Sequence, residues 1–195
     1  MKKFLLLTVM AVLLGAVLKA QETSINVKPN SRAGATIGMQ IPDGWSPGYG
    51  GGLFYHQTLS NRLFLSLNAG FYVFNRSIGP NWWVENKKPV KTTVVEIPIT
   101  LGINTFLINS GFGLALGLEL GMSRSVGDDA ILAEYYYLPG AGTTLTDWIV
   151  TPVSTAIIPL TEKISLMGNI KLQLALDDGI DSSIGINLGI AYSIP

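Results

Sequence analysis

The chain of 195 residues carries 13 basic and 13 acidic side chains, and it contains no cysteine. Charged residues make up only 13% of it, where a soluble domain usually has about 25%. The balance of charges excludes a basic nucleic-acid-binding platform, and the absence of cysteine excludes disulfides and lipid attachment through a cysteine.

The first 20 residues predict a cleaved export signal. Lys2 and Lys3 form its basic start, residues 4–18 form an apolar stretch, and Ala20 offers a small residue for cleavage. Fifteen residues are too few to cross about 30 Å of hydrocarbon, so an uncleaved membrane helix is the weaker interpretation. Cleavage leaves 175 residues with 10 basic and 13 acidic side chains, because three lysines leave with the signal.

After a polar periplasmic tail at 21–32, eight segments alternate between apolar residues and small or polar ones. Successive side chains of a strand face opposite sides of a sheet, so this alternation predicts strands with one apolar face. Pro152 lies inside the sixth segment, where we expect a bulge or an early loss of pairing. The predicted strands are 33–41, 50–59, 63–75, 92–104, 112–123, 148–159, 164–174 and 182–194.

The connections between these strands alternate in length. Loops at 43–49, 76–91, 124–147 and 177–181 take turns with short connections at 60–62, 105–110 and 160–162. An even strand count with this alternation is typical of outer-membrane barrels, in which a closed sheet pairs every backbone group within the membrane. The sequence therefore predicts an all-β protein. The predicted fold is an eight-stranded antiparallel up-and-down transmembrane β-barrel, formed by one domain of residues 33–195.

The direction of the apolar face separates this fold from a soluble barrel. In a soluble barrel the other face of the fifth strand, Gly-Ala-Gly-Glu-Gly-Ser, would meet water almost without charge, which is improbable. Inside a narrow eight-stranded barrel the same small residues leave room for packed side chains. We therefore expect the apolar face to meet lipid.

Three charged residues are predicted to form a network in the lumen. Glu96, Glu119 and Lys171 all occupy inward positions of the alternation. If Asn104 pairs with Gly111, the two carboxylates lie opposite each other, and two such groups ionise at close range only with a cation beside them. A structural role for this network is favoured over a catalytic pair or a proton path.

Aromatic residues in the long loops form a candidate binding surface: Trp82, Trp83, Tyr135, Tyr136 and Tyr137. Exposed loop aromatics often mark binding surfaces. Tryptophan and tyrosine are also enriched where a barrel leaves the hydrocarbon, and Trp148 begins a strand at that level. An aromatic girdle or loop packing is therefore favoured over partner recognition as the explanation of these residues.

Two other sequence features, the single histidine and a run of aspartates, do not indicate a catalytic or metal site. His56 is the only histidine, and it has no diagnostic neighbour for nucleophilic catalysis. One histidine and no cysteine make a transition-metal site improbable. The run Asp177-Asp178-Gly179 fits a hairpin turn better than a calcium site. No catalytic residue, metal site or cofactor is predicted.

The end of the chain carries a motif. Asn187, Gly189, Tyr192 and Ile194 have the spacing of the C-terminal insertion signal of outer-membrane barrels, with Ile194 in place of the usual aromatic. The chain after the signal resembles the small OmpX and OmpA transmembrane barrels. It also resembles the PorT-like barrels of the Bacteroidota through Glu96-Ile-Pro-Ile-Thr-Leu-Gly102. The resemblance implies assembly by the barrel-insertion machinery with periplasmic chaperones, and no single activity.

We therefore expect a protein of the outer membrane of a Gram-negative bacterium with a structural role or a loop-mediated binding role. It is not expected to be an enzyme. Its expected partners are outer-membrane lipids, the assembly factors and a protein outside the cell or in the periplasm, but no nucleic acid. Two alternatives are a minor channel and, less favoured, a lipid-modifying enzyme. A channel needs an open lumen, which the inward residues Phe64, Tyr72, Phe74 and Met167 should block.

Overall fold

Eight antiparallel strands close into a barrel in chain order, with the first strand paired to the last. The computed structural model describes residues 31–42, 46–78, 90–109, 112–127, 144–176 and 182–194. The strands are β1 (Ser31–Pro42), β2 (Gly48–Thr58), β3 (Leu63–Ile78), β4 (Val90–Asn109), β5 (Gly113–Val126), β6 (Thr144–Pro159), β7 (Ile164–Ala175) and β8 (Ser183–Ile194). The predicted eight-stranded up-and-down barrel is confirmed.

Some predicted segments cannot be compared with the structure. The signal at 1–20 and residues 21–30 of the tail lie outside the described residues. Ser31 and Arg32, predicted as the end of the tail, are the first residues of β1. Among the residues that the structure describes, no helix is long and apolar enough to span a membrane.

The predicted alternation of faces is confirmed along the strands. In β5, Glu119 and Ser123 are buried in the lumen, whereas Leu116, Leu120 and Met122 are exposed on the outside. The strict two-residue period of a strand produces this division.

The fourth strand is longer than predicted. It continues to Asn109, so the connection predicted at 105–110 is largely strand. A β-bulge lies between Phe106 and Ile108, where Phe106 is buried while both Leu107 and Ile108 are exposed. A bulge places two residues opposite one, so the alternation that identifies a strand stops there. This is why the sequence suggests a turn too early.

Prolines interrupt the sheet without changing its register. Pairing of β6 with β7 stops at Thr151 and Pro152 and resumes at Val153 in the same register. The predicted loss of pairing is therefore found as a local gap, and the bulge alternative at this site is wrong. A similar gap in β3–β4 pairing occurs opposite Pro98. Proline has no N–H to donate to the ladder.

The lumen is filled in three layers. An apolar cluster lies near the short turns and consists of Phe54, Phe64, Phe106, Ala115, Ile157, Met167 and Ala191. A second cluster, near the β3–β4 loop, consists of Tyr72, Phe74 and Val94. Polar side chains occupy the space between the two clusters, and this polar layer holds the candidate site.

Candidate functional site in the barrel lumen

Glu119 stands at the centre of the polar layer. It lies on the inward face of β5, directly opposite Gly102 of β4. A Cβ atom at position 102 would lie 2.6 Å from Cγ of Glu119 and 2.8 Å from its Cα. Only a glycine therefore leaves room for the glutamate side chain beside the wall.

Four donors from three other strands hold the Glu119 carboxylate. Oε2 accepts from Lys171 Nζ at 3.1 Å and from Thr100 Oγ1 at 2.7 Å. Oε1 accepts from Asn68 Nδ2 at 2.9 Å and from Ser66 Oγ at 3.2 Å. A buried carboxylate is costly unless it is paired and hydrogen-bonded, and Glu119 has both kinds of partner. The arrangement ties β3, β4, β5 and β7 together.

Glu96 lies in a separate part of the layer. Its Oε1 accepts a hydrogen bond from Ser123 Oγ at 2.6 Å and another from Gln173 Nε2. Glu96 lies opposite Ser125, and Glu119 lies opposite Gly102, so the predicted face-to-face pairing of the two carboxylates is wrong. The error follows from the missed extension of β4, which moves the hairpin and shifts the register.

Lys171 is placed beside Glu119, with side-chain exposures of 19% for the lysine and 3% for the glutamate. The structure thus brings two members of the predicted charge network into contact. The stabilising role of the network of Glu96, Glu119 and Lys171 stays a prediction.

A second hydrogen-bonded chain crosses the lumen through Asn187. The Tyr72 hydroxyl donates to Asn187 Oδ1 at 2.7 Å, and Asn187 Nδ2 donates to Asn169 Oδ1 at 3.0 Å. The predicted insertion motif is therefore divided between two faces. Asn187 is buried, whereas Tyr192 and Ile194 are exposed on the outside.

Sequence reasoning missed the polar partners of the carboxylates. The alternation places four polar residues inward without indicating that they hydrogen-bond to the two glutamates: Ser66, Asn68, Thr100 and Gln173. One signal could have identified them, since each is a hydrogen-bonding residue at an inward position of an otherwise apolar strand.

A small cavity of about 40 Å³ lies within the polar layer. Its lining includes Gln40, Tyr72, Thr151, Lys171 and Asn187. Gln40 Oε1 and Thr151 Oγ1 are buried without a hydrogen-bond partner. A cavity of this size accommodates a few water molecules but not an organic ligand.

His56 packs against the apolar cluster near the turns. Its ring centroid lies 4.8 Å from that of Phe54 and 4.8 Å from that of Phe64. Within the described ranges, no group of three histidine, cysteine, aspartate or glutamate residues could hold a metal ion. The loop aromatics Trp82, Trp83, Tyr135, Tyr136 and Tyr137 and the run 177–179 lie outside the described residues.

Comparison with known proteins identifies the fold. No protein-family model matches the chain, and no curated protein matches it. Neisserial surface protein A aligns with a TM-score of 0.60 at 13% identity, over 85% of this chain and 97% of that one. The chain has the fold of the small outer-membrane barrels. Outer membrane protein OprG from Pseudomonas aeruginosa aligns with a TM-score of 0.59 at 11% identity, over 85% of this chain and 96% of that one. The attachment invasion locus protein Ail of Yersinia pestis, in complex with the heparin analogue sucrose octasulfate, aligns with a TM-score of 0.56 at 12% identity. That alignment covers 86% of this chain and 100% of Ail.

Proposed function

We propose that this chain is an integral protein of the outer membrane of a Gram-negative bacterium. Its barrel is a closed sheet whose lumen is filled by packed and hydrogen-bonded side chains. Its role is structural or depends on binding by the loops. The observation that carries the proposal is the combination of an apolar outer wall with a filled lumen.

The outer wall exposes more apolar surface than a soluble protein tolerates. Large apolar side chains are exposed on all eight strands, among them Ile37, Leu53, Phe71, Leu101, Leu120, Trp148, Ile170 and Leu188. A soluble monomer rarely exposes a contiguous apolar patch above a few hundred Å². Hydrocarbon around the barrel would cover this surface, and the closed sheet would leave no unpaired edge in it.

The filled lumen argues against a channel. Phe64, Phe74 and Met167 are almost completely buried and close the lumen at two levels. The polar layer between them holds the small cavity of about 40 Å³, which is lined mostly by polar side chains of the described strands. A transport role would need both apolar clusters to move.

The contacts of His56 argue against an enzyme, because two phenylalanine rings pack against it. A catalytic histidine needs a nucleophile or acid within hydrogen-bond reach. We therefore place the binding of a protein partner at the loop end of the barrel. We also propose that the chain is one of the PorT-like barrels, because residues 96–102 share a phrase with that group.

The proposed location in the outer membrane is tested by cell fractionation. After separation of the membranes of expressing cells, the protein is expected in the outer-membrane fraction as a band whose gel mobility changes on heating. Recovery as a soluble periplasmic protein would overturn the proposal.

Loop binding is tested by capture from intact cells. Residues 127–143, between β5 and β6, are replaced by a Gly-Ser linker of equal length. The matched control replaces residues 177–181 at the same end of the barrel. A partner recovered with the wild type and the control, but not with the 127–143 variant, supports binding by that loop. Identical recovery with all three proteins contradicts it.

A further inference from the structure

We propose that the outer wall carries a binding site for the phosphate group of a membrane lipid, centred on Arg124. The inference rests on the proposed membrane location and adds a ligand class and a place on the barrel. Of the charged side chains that the structure describes within strands, Arg124 alone faces outward. The other strand charges whose side chains the structure describes occupy inward positions: Arg32, Glu96, Glu119, Asp147 and Lys171.

The height of Arg124 on the barrel matches the edge of the hydrocarbon. Along the outward face of β5, the apolar residues Leu114, Leu116, Leu118, Leu120 and Met122 precede it. Ten residues separate Leu114 from Arg124, which at about 3.3 Å per residue is roughly 33 Å along the strand. A strand tilted by about 45° rises roughly 23 Å over that length, close to the apolar band of about 25 Å in such barrels. Arg124 therefore lies where lipid headgroups begin.

The neighbours of Arg124 suit a headgroup. Thr146 of β6 lies directly opposite it, and Trp148 follows two residues later on the same face. Both are exposed, Trp148 by 59%. Tryptophan is enriched at the boundary between hydrocarbon and headgroups, and a hydroxyl can donate to a phosphate oxygen.

On the part of the wall that the structure describes, the charge of Arg124 is not matched by a second outward charge. Among the described residues, no ion-pair partner is recorded for it. A guanidinium presents paired N–H donors that match the geometry of a phosphate, and the pairing strengthens at the edge of a low-dielectric region. Arg124 lies at the end of the apolar band that is nearer to the long loops. A cation at this position fits the phosphorylated headgroup of a lipid in the adjoining leaflet.

The test uses the full chain refolded into phosphatidylcholine nanodiscs that contain either bisphosphorylated lipid A or its dephosphorylated form. Native mass spectrometry then measures how much of each lipid stays bound. The wild type is expected to retain the phosphorylated form preferentially, and Arg124→Gln should reduce that retention roughly tenfold. Arg62→Gln, which removes an exposed arginine from a turn at the opposite end, is the matched control and should behave as the wild type.

Several outcomes would overturn the inference. These are equal retention of the two lipid forms, wild-type retention by Arg124→Gln, or an equal loss in Arg62→Gln. A change in gel mobility on heating confirms that each variant is folded before it is compared. If the wild-type protein inserts into the nanodiscs but retains no lipid A, only the site at Arg124 is refuted. If the wild-type protein does not insert, the proposed membrane location is refuted instead.

Discussion

Replacing Lys171 with methionine tests the ion pair between Lys171 and Glu119 in the polar layer of the lumen. The substitution preserves most of the side-chain volume but removes the cation 3.1 Å from Glu119. The glutamate side chain is only 3% exposed, so its charge would stay buried without its ion-pair partner. Breaking a buried ion pair costs about 3–5 kcal/mol.

Two features of the site reduce this cost. Three neutral donors, Ser66, Asn68 and Thr100, continue to hold the carboxylate. The lysine side chain is 19% exposed, so water partly screens the pair. We therefore expect Lys171→Met to lower the free energy of unfolding by about 2 kcal/mol.

The measurement is urea unfolding of the refolded barrel, followed by the gel mobility of the folded band and by the temperature at which that band shifts. Lys163→Met, in an exposed turn, is the control and should change stability by less than about 0.5 kcal/mol. Adding Glu119→Gln to Lys171→Met should restore part of the loss, because position 119 then carries no buried charge without its ion-pair partner. The reasoning is refuted if Lys171→Met unfolds as the wild type does, or if the double variant is less stable than Lys171→Met alone.

Further predictions concern packing and assembly. Phe64→Ala should cost about 3 kcal/mol or more, measured by urea unfolding, because the ring is 2% exposed, whereas Phe71→Ala at 51% exposure should cost clearly less in detergent. Gly102→Ala should destabilise by about 1–3 kcal/mol, since its Cβ would meet Glu119. Gly185→Ala, whose Cβ would have its nearest neighbour at 3.7 Å, should be nearly neutral by the same assay. Tyr192→Ala should lower the amount of folded protein in the outer membrane while leaving unfolding of the refolded barrel little changed, because Tyr192 is exposed. Equal losses of yield and stability would contradict its role as an insertion signal.

Much of the inward face was predicted because it depends only on local alternation. The inward positions of Phe64, Tyr72, Phe74 and Met167 follow from counting residues within one strand, and the structure buries all four. The second predicted strand, residues 50–59, alternates only weakly, so the sequence does not predict the inward position of His56 among phenylalanine rings. Three consecutive glycines, at 50–52, erase the alternation there.

Contacts between strands were predicted less well, because they depend on register. Asn104 was expected opposite Gly111, and it lies opposite Gly117. The shift separates Glu96 from Glu119 along the hairpin and gives each carboxylate its own set of donors. A register depends on where the turn lies, and the bulge near Phe106 hides that position from the sequence.

The sequence by itself determined the number of strands, the face of most side chains in the regularly alternating segments and the apolar character of the outer wall. These properties follow from a two-residue period that each strand carries alone. The tertiary structure decided which inward residues meet, including Lys171 with Glu119 and Tyr72 with Asn187. Closing a tilted sheet into a barrel offsets neighbouring strands, so residues far apart in sequence come together at heights that no single strand specifies.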